Sequence, residues 1–156
     1  MIETDIPGFG HLELSDLLCD FNGTLARDGR LLDGARTLLP EVARRLNVRV
    51  VTGNTFGSVE EQLRDCPCEL CLLHPQDQAL AKLALVEAIG PQRVVAIGNG
   101  RNDRMMLQRA ALGIVVVGDE GAAGEALQAG DIITRDVRSA LDLLLDPRRL
   151  VATLRG

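Results

Sequence analysis

Leu17-Leu18-Cys19-Asp20-Phe21-Asn22-Gly23-Thr24 decides the fold. An apolar run that ends on a carboxylate and passes at once into a polar, Gly-containing turn reads as a buried strand. Such a strand delivers an acid to its carboxyl end. The same punctuation recurs downstream. Val48-Arg49-Val50-Val51-Thr52 runs into Gly53-Asn54-Thr55, and the apolar stretch at 93–97 runs into Gly98-Asn99-Gly100-Arg101-Asn102-Asp103.

Further strands are expected at 69–73, 113–117 and 131–134. Helical patterns lie over 35–46, 58–64, 77–89, 102–111, 120–128 and 136–145. Pro40 interrupts the first of these and is expected to kink or break it. Asp77 reads as an N-cap, Gly90-Pro91 as a stop, and Asp146-Pro147 as the opening of a last helix. Strands alternating with helices make an α/β protein: a three-layer α/β/α, Rossmann-like core around a mainly parallel sheet. Ligands of such folds sit at the carboxyl ends of the strands. Segments 2–6 and 11–15 flank Pro7-Gly8-Phe9-Gly10, which predicts an N-terminal β-hairpin. The ten-residue loop 24–33 is too short for a cap domain, and no linker divides the chain, so 1–156 reads as one domain without a cap.

Composition narrows the function. The net charge is −5, and aromatic residues make up 2% of the chain, with no Trp or Tyr. Nucleic-acid binding needs the opposite: a basic face and rings to stack on bases. No apolar run approaches the roughly 20 residues of a membrane span. The N-terminus carries acids and no basic, apolar leader, which points to the cytoplasm and to reduced cysteines. Of the 17 basic residues, 16 are Arg and one, Lys82, is Lys. A site that needs a compact point charge cannot accept a planar fork, so the lone lysine is a candidate functional residue.

These elements resemble the haloacid dehalogenase-like superfamily. The stretch at 17–24 resembles its first motif, an apolar strand followed by Asp-x-Asp-Gly-Thr. Val50-Val51-Thr52-Gly53-Asn54 resembles the second, Lys82 the third, and the glycines, asparagines and Asp103 of 98–103 the fourth, Gly-Asp-Gly-x-Asn-Asp. Four motifs in order are far more specific than any one. The stretch 98–118, with Thr-Gly-Asn at 52–54, further resembles the phosphorylation domain of P-type ATPases, in a soluble, capless form.

The resemblance implies a Mg²⁺-dependent phosphatase. Asp20 is then the nucleophile that forms an aspartyl-phosphate, and Lys82 supplies charge to it and to the transferring group. Asn22, Gly23, Thr24, Thr52, Gly53, Asn54, Lys82 and Asn102 are the implied phosphoryl-binding residues. Asp20, the carbonyl of Asn22, Asn99 and Asp103 are the implied metal shell. A phosphorylated small molecule or a phosphoprotein is the implied partner, and a second copy of the chain is implied as a cover for the uncapped site.

Two departures stand out. Asn22 occupies the place of the general acid/base, and a carboxamide cannot shuttle a proton, which predicts slow turnover and good leaving groups. Asn99 occupies the place of a metal-binding Asp, which predicts weaker Mg²⁺ binding. The same two residues leave open a catalytically weakened pseudo-phosphatase that binds phosphate or a phosphoprotein. Cys66, Cys68, Cys71 and His74 have the residue types of a zinc site. A strand at 69–73 would put Cys68 and Cys71 on opposite faces, so they read instead as core.

Overall fold

A computed structural model describes residues 1–53 and 58–156. The strands are β1 Ile2–Ile6, β2 Gly10–Leu14, β3 Asp16–Asp20, β4 Ala26–Arg27, β5 Arg30–Leu31, β6 Asn47–Thr52, β7 Glu69–Leu72, β8 Val94–Gly98, β9 Leu112–Val116 and β10 Ile132–Thr134. The helices are α1 Asp33–Ala43, α2 Val59–Gln62, α3 Gln78–Ile89, α4 Arg104–Arg109, α5 Gly124–Ala129, α6 Val137–Leu145 and α7 Pro147–Leu154. Six strands form one parallel sheet in the order β10-β9-β8-β3-β6-β7. β3 lies at its interior, with Cys19 in register with Val50 on one side and Ile97 on the other.

Strand alternation sorts the core into two layers. Leu17, Cys19, Val50, Val95, Ile97, Ile114 and Val116 face the layer of α1, α6 and α7. Leu18, Val51, Val94, Ala96 and Val115 face the layer of α3, α4 and α5. β3, β8 and β9 are buried along their whole length, which is why they read as continuous apolar runs. The β1–β2 hairpin pairs antiparallel and buries Ile2, Ile6, Leu12 and Leu14 against the first layer. Among the described residues there is no cap, and no helix is long and apolar enough to cross a membrane.

The structure departs from the sequence expectations in several places. The loop 24–33 contains the two-residue strands β4 and β5, a flap too short to show periodicity. α1 runs past Pro40, held by buried Leu39 and Val42. α5 starts at Gly124, not 120. The Ala123 N–H is bonded to the Asn99 carbonyl at 2.9 Å and the Gly121 carbonyl accepts from Asn99 Nδ2 at 3.1 Å, so this segment follows Asn99 instead of coiling. Asp77 does occupy the N-cap position of α3, but with a left-handed backbone (φ 57°) and no side-chain cap bond. In the β1–β2 hairpin, His11 Nδ1 lies 2.8 Å from Asp5 Oδ1, a pair with no signal in the sequence.

At the amino end of β3, Asp16 is buried and bonds Arg49 Nη1 and Ser15 Oγ, each at 2.5 Å. Burial alone would raise the Asp16 carboxyl, but the Ser15 hydroxyl and the Arg49 guanidinium outweigh it, and its pKa is lowered.

Candidate active site

Asp20 is the last residue of β3 and stands at the carboxyl edge of the sheet, 8% exposed. Lys82, on α3, is fully buried and reaches it: Nζ lies 2.7 Å from Asp20 Oδ1, 2.6 Å from Asp103 Oδ1 and 3.4 Å from Asn102 Oδ1. A lysine with no exposure needs such partners, because an isolated buried ammonium would discharge. Burial pulls its pKa down, but the Asp20 and Asp103 carboxylates overcome this and the ammonium is held charged. Asp20 is shifted the other way. Burial first, then the Asp103 carboxylate, raise its pKa, with Lys82 opposing. Beneath it, Cys19 is buried in the core and its thiol is pushed well above the ordinary range, chiefly by burial.

Asp103 spends both oxygens on the protein. Oδ1 takes Lys82, and Oδ2 accepts the N–H groups of Asn99 at 3.0 Å and Gly100 at 2.9 Å. It therefore ties the turn after β8 to the lysine. Asn99 accepts from Thr24 Oγ1 at 3.3 Å, joining that turn to the loop after β3. Gly23 sits in this loop at φ 78°, and a Cβ there would collide with the Glu120 carboxylate and the Asn99 carboxamide. Thr52 is buried at the end of β6, with Gly53 following it. Asn54 lies outside the described residues. Of the residues expected from sequence, the structure thus gathers Asp20, Lys82, Asn99, Asn102 and Asp103 through direct bonds, with Thr24 joined through Asn99. Asn22 and Gly23 lie in the same loop.

Asn22 Oδ1 is buried and has no hydrogen-bond partner. Two buried carboxyl groups, Asp20 and Asp103, share the one ammonium of Lys82. An unsatisfied oxygen beside oxygen-bearing side chains fits a hard divalent cation. The set is lean: among the described residues no group of three or more His, Cys, Asp or Glu could hold a metal ion. This covers the cysteines too. Cys66 and Cys68 pack on one layer of the core and Cys71 on the other.

Two residues not expected from sequence adjoin the site. Glu120 stands against Gly23 and Asn99. Gln78 accepts from Asn102 Nδ2 at 3.0 Å. A signal for Gln78 was present: it lies one helical turn before Lys82, on the same face of α3. A cavity of about 570 Å³ opens beside the nucleophile loop, bounded by Gly23, Thr24, Arg27, Val116, Glu120 and Arg138. Neither Asp20 nor Lys82 lines it.

The parallel sheet with its acid-tipped central strand is the haloacid dehalogenase-like fold, and solved structures agree. The 3-deoxy-D-manno-octulosonate 8-phosphate phosphatase of Moraxella catarrhalis, solved with magnesium, phosphate and KDO, superposes with a TM-score of 0.72 at 16% identity, covering 89% of this chain and 90% of that one. The cobalt-bound deoxy-D-mannose-octulosonate 8-phosphate phosphatase of Haemophilus influenzae gives 0.71 at 14% identity, covering 92% and 94%. No family model matches the chain.

The chain belongs to the family of the uncharacterized protein MJ0073 of Methanocaldococcus jannaschii, with 44% identity over 82 residues, which are 50% of this chain and 88% of the relative. A shorter stretch of 33 residues is 54% identical to the phosphoserine phosphatase of Archaeoglobus fulgidus, covering 21% of this chain and 10% of that protein.

Proposed function

We propose that the protein is a Mg²⁺-dependent phosphohydrolase that carries the phosphoryl group on Asp20. One observation carries this reading. A carboxylate at the end of the central strand is gripped by a fully buried lysine that also grips Asp103. A purely structural pair would more cheaply be apolar, since burying an ion pair gains little stability over a hydrophobic replacement.

With Oδ1 held by Lys82, attack on phosphorus falls to the other oxygen of Asp20. The bond from phosphorus to the leaving oxygen breaks, and that oxygen departs with the electron pair. Lys82 neutralises charge on the nucleophile and on the transferring group. Asn22 has no proton to give, so the leaving oxygen takes one from solvent. Water then attacks phosphorus, the bond to Asp20 breaks, and inorganic phosphate leaves with the carboxylate restored. Asp20, the carbonyl of Asn22 and Asn99 are the groups to hold magnesium, which would supply positive charge to the phosphoryl oxygens. Asp103 belongs to the same shell and also fixes Asn99 and Lys82 through its bonds.

The missing acid favours acyl and aryl phosphates and slow turnover, as in the phosphorylation domains of P-type ATPases, whose soluble, capless relatives this chain resembles. The phosphate and KDO held by the Moraxella neighbour support a phosphorylated small molecule as substrate. We place the protein in the cytoplasm as one domain, with a second copy covering the open site.

The test is turnover of p-nitrophenyl phosphate and acetyl phosphate with Mg²⁺, together with trapping of a beryllium fluoride adduct. Wild type should turn over and form the adduct, and Asp20→Asn should do neither. Equal activity in Asp20→Asn would refute the nucleophile. Phosphate binding without turnover or adduct would make the protein a phosphate-binding pseudo-phosphatase.

A further inference from the structure

Hydrogen-bond direction fixes the Gln78 carboxamide. The Lys82 ammonium can only donate, so the Asn102 atom facing it at 3.4 Å is the carbonyl oxygen Oδ1. The other end of Asn102 is then its NH₂ group, which donates to Gln78 at 3.0 Å. The Gln78 atom receiving that bond must be Oε1, so its Nε2 points the other way. It points at Gly53. A methyl group on Gly53 would collide with Nε2 and stand 3.1 Å from Cδ. Among the described residues Nε2 has no acceptor. A half-buried amide donor thus lies against the Gly53 backbone, one residue past Thr52 at the carboxyl edge of the sheet, and the chain Lys82–Asn102–Gln78 prevents it from flipping.

We propose that Gln78 is a phosphoryl-binding residue whose Nε2 donates to an oxygen of the tetrahedral anion seated between Asp20 and the Thr52-Gly53 turn. This rests on the reading of the site as a phosphoryl site and adds a residue to it. Glycine at 53 has its reason here: any side chain would push the Gln78 amide off its line.

The experiment is tungstate binding by calorimetry in the presence of Mg²⁺, with thermal midpoints as a folding control and p-nitrophenyl phosphate turnover measured in parallel. Gln78→Met keeps the shape and removes the donor. It should bind tungstate about 10-fold more weakly, the worth of one hydrogen bond to a charged group. Gln78→Glu keeps the acceptor for Asn102 but sets a carboxylate against the anion. It should bind about 100-fold more weakly, or not at all. Gly53→Ala should displace Gln78 and match Gln78→Met.

Wild-type affinity in Gln78→Glu would overturn the proposal, because it would leave Gln78 only the task of holding Asn102. So would unchanged affinity in Gln78→Met. A wild type that binds tungstate but turns nothing over would sink the phosphatase reading and leave the Gln78 assignment to be decided by its variants. A wild type that does not bind tungstate overturns both.

Discussion

Replacing Lys82 by Met should invert the effect of a second substitution. Asp20 Oδ1 and Asp103 Oδ1 both lie within 2.7 Å of the same nitrogen, so they are at most about 5.4 Å apart. With the ammonium gone, two carboxylates at that distance repel by about 3 kcal/mol at an effective dielectric constant of about 20. Loss of one partner from buried ion pairs falls in the same range, about 3–5 kcal/mol. Lys82→Met should therefore lower the unfolding free energy by about 3 kcal/mol. Asp103→Asn destabilises the wild type, because it breaks the bond to Lys82. In the Lys82→Met background it should instead stabilise, because it removes the repulsion while a carboxamide oxygen can still accept the Asn99 and Gly100 N–H groups. The assay is urea unfolding at pH 8 with EDTA, followed by far-ultraviolet circular dichroism since the chain has no Trp or Tyr. Asp103→Asn destabilising both backgrounds equally would show that Lys82 does not hold the two carboxylates together.

Asn22→Asp should raise turnover of alkyl phosphates by about 10²–10⁴-fold, the usual worth of a general acid, and no gain would refute the missing-acid account. The Asp16 carboxyl is lowered from its unfolded value of 3.8, so its contribution is present above that pH and is lost as pH falls through the lower folded value. The stability gap between wild type and Asp16→Asn, read from urea midpoints, should be full near neutrality and close in acid; a gap that does not change with pH would remove Asp16 from the account. A Cβ at Gly113 would collide with the backbone carbonyl of Leu107. Gly113→Ala should thus cost about 1–3 kcal/mol, seen as a lowered thermal midpoint.

The strand ends were legible because burial on both faces leaves no polar residue until the sheet stops. An Asp at position 20 after three apolar residues marks that edge. Lys82 was legible through composition, as the one point charge among forks. What escaped the sequence depends on tertiary bonds. Residues 120–123 have helical composition but follow Asn99, and no local pattern records that tether. Asp103 reads as a metal ligand beside Asn102, but its bonds to Lys82 and to the turn after β8 join residues far apart in the chain, which no local pattern shows. The β4–β5 flap is two residues per strand, below the length at which alternation can be seen. Gln78 was within reach, since the spacing of one turn to Lys82 is visible, but a lone Gln in a helix carries no chemical signal until its partner is known.

The burial of Lys82 also makes the protein's surface unusual as a chemical object. Its only side-chain primary amine has no exposure, and every other basic residue is an arginine. Acylating reagents and amine cross-linkers therefore find no lysine on the folded molecule. Modification at Lys82 requires α3 and the edge of β3 to part, so its rate under native conditions is a clock for the opening of the candidate site alone. An oxyanion that settles over the site should slow that clock.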